Sequence, residues 1–351
     1  GEMSRFLTQM KFARLINHDT LTLNFDIRTG SAENTEIEKS GMHRERLLKL
    51  YSGDQAVSML SPTAINTWLG CRMRYYYRYV CGLKEADVVS QEIDHAIFGQ
   101  VLHSVMKDIY KVPPGEPVTA AYINSIYGAR DYLAGLIDKS VESVYGPDML
   151  RPESGNDIII KDILLNYLRR ILAADREIAP FSMVGTEREY SFRIQVECED
   201  HVLNIRTGGS IDRIDRVGGR LRIVDYKTGE LASAIASLDD LFTDDRKREY
   251  DGWLQTLLYC EAWLANNPAE AVIPSIYRVK ELRQAKAGDV LKIKEDKKNE
   301  WILEDYRTVR ETFMTGIREV IALIFNSGEP FRMTKMPAKC NYCPYRGLCR
   351  R

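Results

Sequence analysis

Gly209-Ser-Ile-Asp212 is followed, after a glycine turn, by Val224-Asp225-Tyr226-Lys227-Thr228-Gly229. Side chains of a β-strand alternate between faces, so Leu221, Ile223, Asp225 and Lys227 share one side. A carboxylate and an ammonium two residues apart therefore point the same way. If the segment ending at Val217 pairs with this strand as a hairpin, Asp212 comes alongside Asp225. Two close carboxylates repel, and a hard divalent cation relieves the repulsion by taking oxygen ligands from both. Lys227 beside such a cation could hold a water or steady a pentavalent phosphorane. That is equipment for metal-assisted phosphodiester hydrolysis. The same residues also read as a hairpin with surface ion pairs, and spacing alone does not separate the two. Arg213 and Asp215 read as ordinary structural charges. Glu187 and Glu189, one strand earlier, could add to the acidic patch, but nothing assigns either a role.

Sulfur supplies a second group. The seven cysteines are at 71, 81, 198, 260, 340, 343 and 349. An odd count in a large chain argues against a disulfide framework. Cys340-x2-Cys343-x5-Cys349 places three thiolates in a short loop, and Cys71 could provide a fourth. Four soft thiolates select zinc or an iron–sulfur cluster, and spacing alone slightly favours zinc. Cys81, Cys198 and Cys260 read as small buried residues. Around these thiols the charge is one-sided. Arg72, Arg74 and Arg78 interleave with Tyr75, Tyr76, Tyr77 and Tyr79, with no acid between Cys71 and Leu83. Arg332–Arg351 carries six Lys or Arg, among them Lys335, Lys339, Arg346, Arg350 and Arg351, and no acid. Cations beside aromatic faces suit single-stranded DNA, through phosphate contacts and base stacking.

The elements that must position these groups follow from periodicity. Ser61-Pro62 starts a helix predicted to run to about Val80. Phe98–Lys111, 118–145 and 157–178 have helical apolar spacing. The period then changes to two, predicting strands at 183–197, 202–217 and 221–227. A helix is predicted at 250–266, a strand at 272–279 and a helix at 305–326. This order gives a mixed α/β domain whose sheet lies late in the chain. Thr20–Ile27 alternates as a strand without a clear partner, which points to an upstream region belonging to something larger. With 351 residues and a net charge of −1, the whole chain does not announce a nucleic-acid binder, so such a role rests on local patches. No apolar run approaches the ~20 residues of a membrane helix, no signal peptide is visible, and a cytoplasmic location is expected. No Gly-x4-Gly-Lys-Ser/Thr phosphate loop occurs.

Taken together, Gly-x-x-Asp212 and Val-Asp225-Tyr-Lys227-Thr-Gly resemble the PD-(D/E)XK nuclease superfamily, in its RecB-like branch. Gly99-Gln-Val-Leu-His103 resembles the upstream Gly-x-x-x-His helix of that branch, and Gln255-Thr-Leu-Leu-Tyr259 its later Gln-x-x-x-Tyr helix. The motifs occur in the family's order over roughly residues 60–351. The resemblance implies a restriction-endonuclease-like mixed sheet flanked by helices, with an N-terminal helical region and a C-terminal Cys-rich loop. It implies a nuclease domain at 51–351 after an N-terminal extension at 1–50. It further implies that His103, Asp212, Asp225 and the Tyr226 carbonyl bind Mg²⁺ or Mn²⁺, that Lys227 orients water, and that Gln255 and Tyr259 position the scissile strand. AddB-type helicase–nuclease subunits carry one cysteine before these motifs and three after them, holding a [4Fe–4S] cluster. On that likeness Cys71, Cys340, Cys343 and Cys349 are its ligands. The family usually has Pro after the first cysteine, where this chain has Arg72. The expected activity is a metal-dependent deoxyribonuclease, exonucleolytic on single-stranded DNA in recombination and repair, with a helicase partner. CRISPR-adaptation nucleases share the cysteine arrangement, and a non-catalytic iron–sulfur DNA-binding module is the third reading.

Overall fold

The computed structural model describes residues 9–10, 12–13, 36–84, 95–113, 115–145, 155–282, 291–294 and 299–351. The strand read at 20–27 lies outside the described residues. By its internal contacts the chain divides into residues 1–33 and a unit from Asn34 to Arg351, which holds everything that follows.

A short strand, β1 (Glu36–Ile37), and helix α1 (Gly41–Tyr51) open this unit. Ser61 caps α2 (Pro62–Gly70) by accepting the Ala64 N–H at 3.2 Å. Pro62 sits in the first turn, where a missing N–H costs nothing. The helix predicted to continue to Val80 instead breaks at Cys71, which is extended at φ −169°, ψ 110°. Cys71 closes one helix and opens the next: its N–H donates to the Thr67 carbonyl at 2.9 Å, and its own carbonyl accepts the Tyr75 N–H at 3.1 Å. Helix α3 (Arg72–Tyr75) follows and widens into a π-helical turn at Tyr76–Val80. Next come α4 (His95–Ile109) and β2 (Pro117–Val118). The stretch read as helical from 118 to 145 is two helices, α5 (Ala120–Gly128) and α6 (Arg130–Tyr145), because Ala129 leaves helical geometry between them. Helix α7 (Gly155–Ile178) completes this layer.

Strands β3 (Phe181–Cys198), β4 (His201–Val217) and β5 (Arg220–Lys227) form two consecutive antiparallel hairpins. Gly218 and Gly219 both have positive φ, 56° and 81°, which a two-residue turn between twisted strands demands. Helix α8 (Asp251–Asn266) then crosses over and returns the chain as β6 (Val272–Arg278), parallel to β5. The sheet order is β2-β3-β4-β5-β6. A small ribbon, β7 (Lys292–Lys294) with β8 (Glu300–Ile302), precedes α9 (Arg310–Phe325), which starts later than predicted because Tyr306–Thr308 forms a 3-10 turn. Finally β9 (Phe331–Arg332) pairs with β1.

Both faces of the sheet are covered, so each carries its own core. Leu221 and Ile223 of β5 pack with α1, α2, α8 and α9. Val224 and Tyr226, one residue out of phase, pack with α4 to α7. The latter face also buries charge. Asp175 of α7, Arg213 and Asp215 of β4 are wholly buried, and Arg222 of β5 nearly so. Arg213 donates to Asp175 at 2.7 Å and to Asp215 at 2.6 Å, while Arg222 donates to both Asp215 oxygens at 2.8 Å. Arg213 and Asp215 are structural as expected, but they are core ion pairs and not surface ones. Among the described residues no helix is long and apolar enough to cross a membrane.

Candidate active site

The β4–β5 ladder runs from Val217↔Arg220 to Arg213↔Val224. One step further, Asp212 and Asp225 face each other, and the ladder gives way to a side chain: Asp212 Oδ2 accepts the Tyr226 N–H at 3.0 Å. On the other side of β4, Glu187 falls between the pairs Thr186↔Arg213 and Arg188↔Ile211, opposite Asp212. Three carboxylates thus form a row across three adjacent strands. Glu187 holds a φ of 48°, uncommon for a residue with a side chain.

Helices from both layers close on this row. From α4, His103 Nδ1 lies 3.3 Å from Glu187 Oε1 and 3.4 Å from Asp212 Oδ1, and Nε2 lies 3.2 Å from the Tyr226 carbonyl. One ligand atom each from His103, Glu187 and Asp212 falls within 4.8 Å of the others. From β5, Lys227 Nζ donates to Asp225 Oδ1 at 3.0 Å and sits 2.8 Å from Oδ2. Asp225 is fully buried, and its Oδ2, although close to that ammonium, has no hydrogen bond of its own among the described residues. From α8, Gln255 Oε1 accepts from Lys227 Nζ at 2.8 Å, and Gln255 Nε2 donates to Tyr259 Oη at 3.0 Å. Gly209 lets this helix approach: a Cβ there would lie 2.9 Å from the Tyr259 ring.

Crowded acids in a buried place change each other's protonation. Burial pushes the Asp225 carboxyl up; Lys227 opposes this, Asp212 adds to it, and the value settles at about 6. Burial also raises Asp212, but His103 and Lys227 outweigh it and hold it below the usual carboxylate range. Burial lowers His103, yet Asp212, Glu187 and Asp225 carry it up to about 10. A bare site of this kind holds protons that a divalent cation would replace. The donor set suits such an ion: hard carboxylate oxygens, one imidazole, and a buried carboxylate whose only cationic neighbour on its own strand is Lys227.

The structure brings together His103, Asp212, Asp225, Tyr226, Lys227, Gln255 and Tyr259. It adds Glu187, which sequence reasoning leaves without a role. Glu189 points elsewhere, 62 % exposed and 3.6 Å from Arg206.

The cysteine site is built by segments far apart in the chain. Cys71, Cys340, Cys343 and Cys349 are free, half-buried thiols. Burial and then the charges of Cys71, Cys343 and Cys340 push Cys349 up to about 11, and burial raises Cys71 as well. The C-terminal loop is held in place by polar contacts. Asp245 accepts the Lys335 N–H at 3.1 Å and the Thr334 hydroxyl, while its own N–H donates to the Leu69 carbonyl at 2.9 Å. Lys339 Nζ donates to the Gly70 carbonyl at 3.4 Å and the Arg246 carbonyl at 2.8 Å. Arg72, expected with Arg74 and Arg78 on a DNA-facing patch, is turned inward. It is 5 % exposed, stacks on Trp68, and grips Asp244 and Glu329. Lys339 likewise faces inward, whereas Lys335, Arg346 and Arg350 are exposed. Cys198 and Cys260 are buried as expected; Cys81 is only half-buried, at the end of the π-helical turn.

A mixed sheet whose central strands deliver an acid row and a lysine, with helices on both faces, defines a nuclease fold. The chain belongs to the PD-(D/E)XK nuclease superfamily, whose profile matches residues 59–350. It is similar to the B-type subunit of the ATP-dependent helicase/deoxyribonuclease of Streptococcus agalactiae serotypes Ia, V and III, at 28 % identity over 173 residues in each case. The matched stretch covers 48 % of this chain and 14 % of those relatives, so the chain spans a small part of their length.

Proposed function

We propose that this chain is a metal-dependent deoxyribonuclease that degrades single-stranded DNA exonucleolytically. The observation that carries the reading is the acid row closed by His103 and Lys227, with a buried Asp225 oxygen that accepts no hydrogen bond among the described residues. His103, Asp212, Asp225 and the Tyr226 carbonyl would hold Mg²⁺ or Mn²⁺, with Glu187 close enough to join them. The cation would supply Lewis-acid activation of the scissile phosphate and of a water. Lys227 is held by Asp225 and Gln255, so its ammonium is aimed at the site, where it orients the attacking water and offsets charge building on the phosphorus oxygens. Tyr259, tied to Gln255, walls the path of the strand.

Cys71, Cys340, Cys343 and Cys349 would hold a [4Fe–4S] cluster; four free thiols, with Cys349 raised by the charges of the other three, suit such a soft-metal group. The relatives' name includes a helicase, and a helicase partner in recombination and repair fits an enzyme that consumes single strands. The test is release of labelled nucleotides from single-stranded DNA with and without Mg²⁺, for wild type, Asp225→Ala and Lys227→Ala. Activity in wild type alone is expected, and equal rates in all three would overturn the assignment. A brown protein with absorbance in the visible blue after anaerobic purification supports the cluster; a colourless protein with stoichiometric zinc would replace it.

A further inference from the structure

Behind the acid row, on the opposite face of the sheet, one buried carboxylate ties together the elements that carry the metal-site residues. Asp175 Oδ2 accepts from Arg213 at 2.7 Å and from the Tyr110 hydroxyl, and Oδ1 accepts from the Tyr277 hydroxyl at 2.8 Å. Arg213 also donates to the Tyr226 hydroxyl at 3.2 Å. All five residues are at most 3 % exposed.

The partners are not scattered. Arg213 directly follows Asp212, and Tyr226 directly follows Asp225. Tyr110 directly follows α4, seven residues beyond His103, and its N–H still donates to the Met106 carbonyl at 3.1 Å. The bonds of Arg213 therefore fix the backbone next to Asp212 and Asp225, and the bond of Tyr110 fixes the end of the helix that carries His103. Tyr277 is the exception. It makes the same kind of bond to Asp175 from β6, where the ladder to β5 already sets its place beside Tyr226, so its hydroxyl is not needed to position that ligand.

We propose that Asp175 is a positioning residue for the metal site, setting the height of His103 over the strands through Tyr110 and the placement of Asp212 and Tyr226 through Arg213. It acts through these neighbours and touches neither cation nor substrate. The inference rests on the metal-dependent reading above. Hydrogen-bonded groups behind a ligand orient it, and their loss weakens metal affinity about 10–100-fold.

Tyr110→Phe and Tyr277→Phe each remove one hydroxyl from Asp175 with almost no change of volume. Mn²⁺ is titrated into the metal-free protein by calorimetry, and the Mn²⁺ dependence of single-strand cleavage is followed alongside. Tyr110→Phe is expected to weaken Mn²⁺ about tenfold while the rate at saturating Mn²⁺ is retained. Tyr277→Phe is expected to bind Mn²⁺ like wild type, although both variants melt at lower temperature. Equal Mn²⁺ affinity in wild type and Tyr110→Phe, or equal weakening in the two variants, would show that the network serves stability alone and would overturn the proposal. Wild type that binds no Mn²⁺ would instead overturn the metal-dependent reading and this proposal with it. Asp175→Asn strands buried Arg213, so the tyrosine pair carries the test.

Discussion

On one face of the central sheet, Asp175 and Asp215 are met by Arg213 and Arg222, and each of their four carboxylate oxygens accepts a hydrogen bond. At the strand ends, Glu187, Asp212 and Asp225 share one lysine and one histidine, and Asp225 Oδ2 accepts no hydrogen bond among the described residues. Both clusters are rich in carboxylate, and both are largely withdrawn from water. The balanced one matches two carboxylates with two guanidinium groups and is damaged by losing a member. The unbalanced one carries more negative charge than its lysine and histidine offset, at a cost to the fold. Burial alone therefore does not separate the clusters; the excess of acids over cations does.

The sharpest way to break this comparison is to neutralise one acid in each cluster. Lys227→Ala or Asp225→Asn should lower the rate of Mg²⁺-dependent single-strand degradation by about 10²–10³-fold, the usual loss when a group that stabilises developing charge is removed. Asp215→Asn, in the balanced cluster, should leave two buried arginines short of a partner and destabilise the fold by about 3–5 kcal/mol in denaturant unfolding. Asp225→Asn should do the reverse in metal-free protein at pH 8. A carboxyl raised from 3.8 to about 6 reports about 3 kcal/mol against its ionised form, so removing that charge should raise the melting temperature. A fall in melting temperature would dissolve the contrast between the clusters.

A pH series sharpens it. His103 is raised from 6.5 to about 10 by the acid row, so the fold favours its protonated form. Its contribution is fully present below pH 6.5 and lost as pH rises toward 10. In metal-free protein, the stability difference between wild type and His103→Gln should shrink across that window, measured by urea unfolding at each pH. The smallest effect belongs to the other end of the chain. Tyr342, between Cys340 and Cys343, is 97 % exposed. Tyr342→Ala should weaken single-strand binding by about 1–3 kcal/mol, one base-stacking contact, in fluorescence anisotropy, with melting temperature unchanged.

Much of the active site is readable from the sequence because two tight turns set the register. The turn at Gly218-Gly219 places Asp212 opposite Asp225, and the same counting from the Glu199-Asp200 turn places Glu187 opposite Asp212. The second count is available in the sequence, but the turn carries no glycine pair to announce it, so the row's third member has no assignment there. Asp175 is not legible at all. It sits in a helix whose polar residues read as a solvated face, and only packing against β4 and β6 turns it inward. Arg72 shows the same blindness: a basic helix residue among tyrosines looks outward until Asp244 and Glu329, remote in sequence, arrive to meet it. The break at Cys71 is hidden as well, since Gly70 is tolerated in helices and the extended geometry of one residue leaves no periodic trace.

Lys339 reaches the Gly70 carbonyl across 269 residues of intervening chain, and Asp245 clasps both the α2 terminus and the loop that follows β9. The polypeptide thereby closes a circuit of most of its length with ordinary hydrogen bonds, inside the longer one closed by β1 and β9. The segments that carry Cys71 and Cys340 are therefore tied to each other by polar groups other than the thiols.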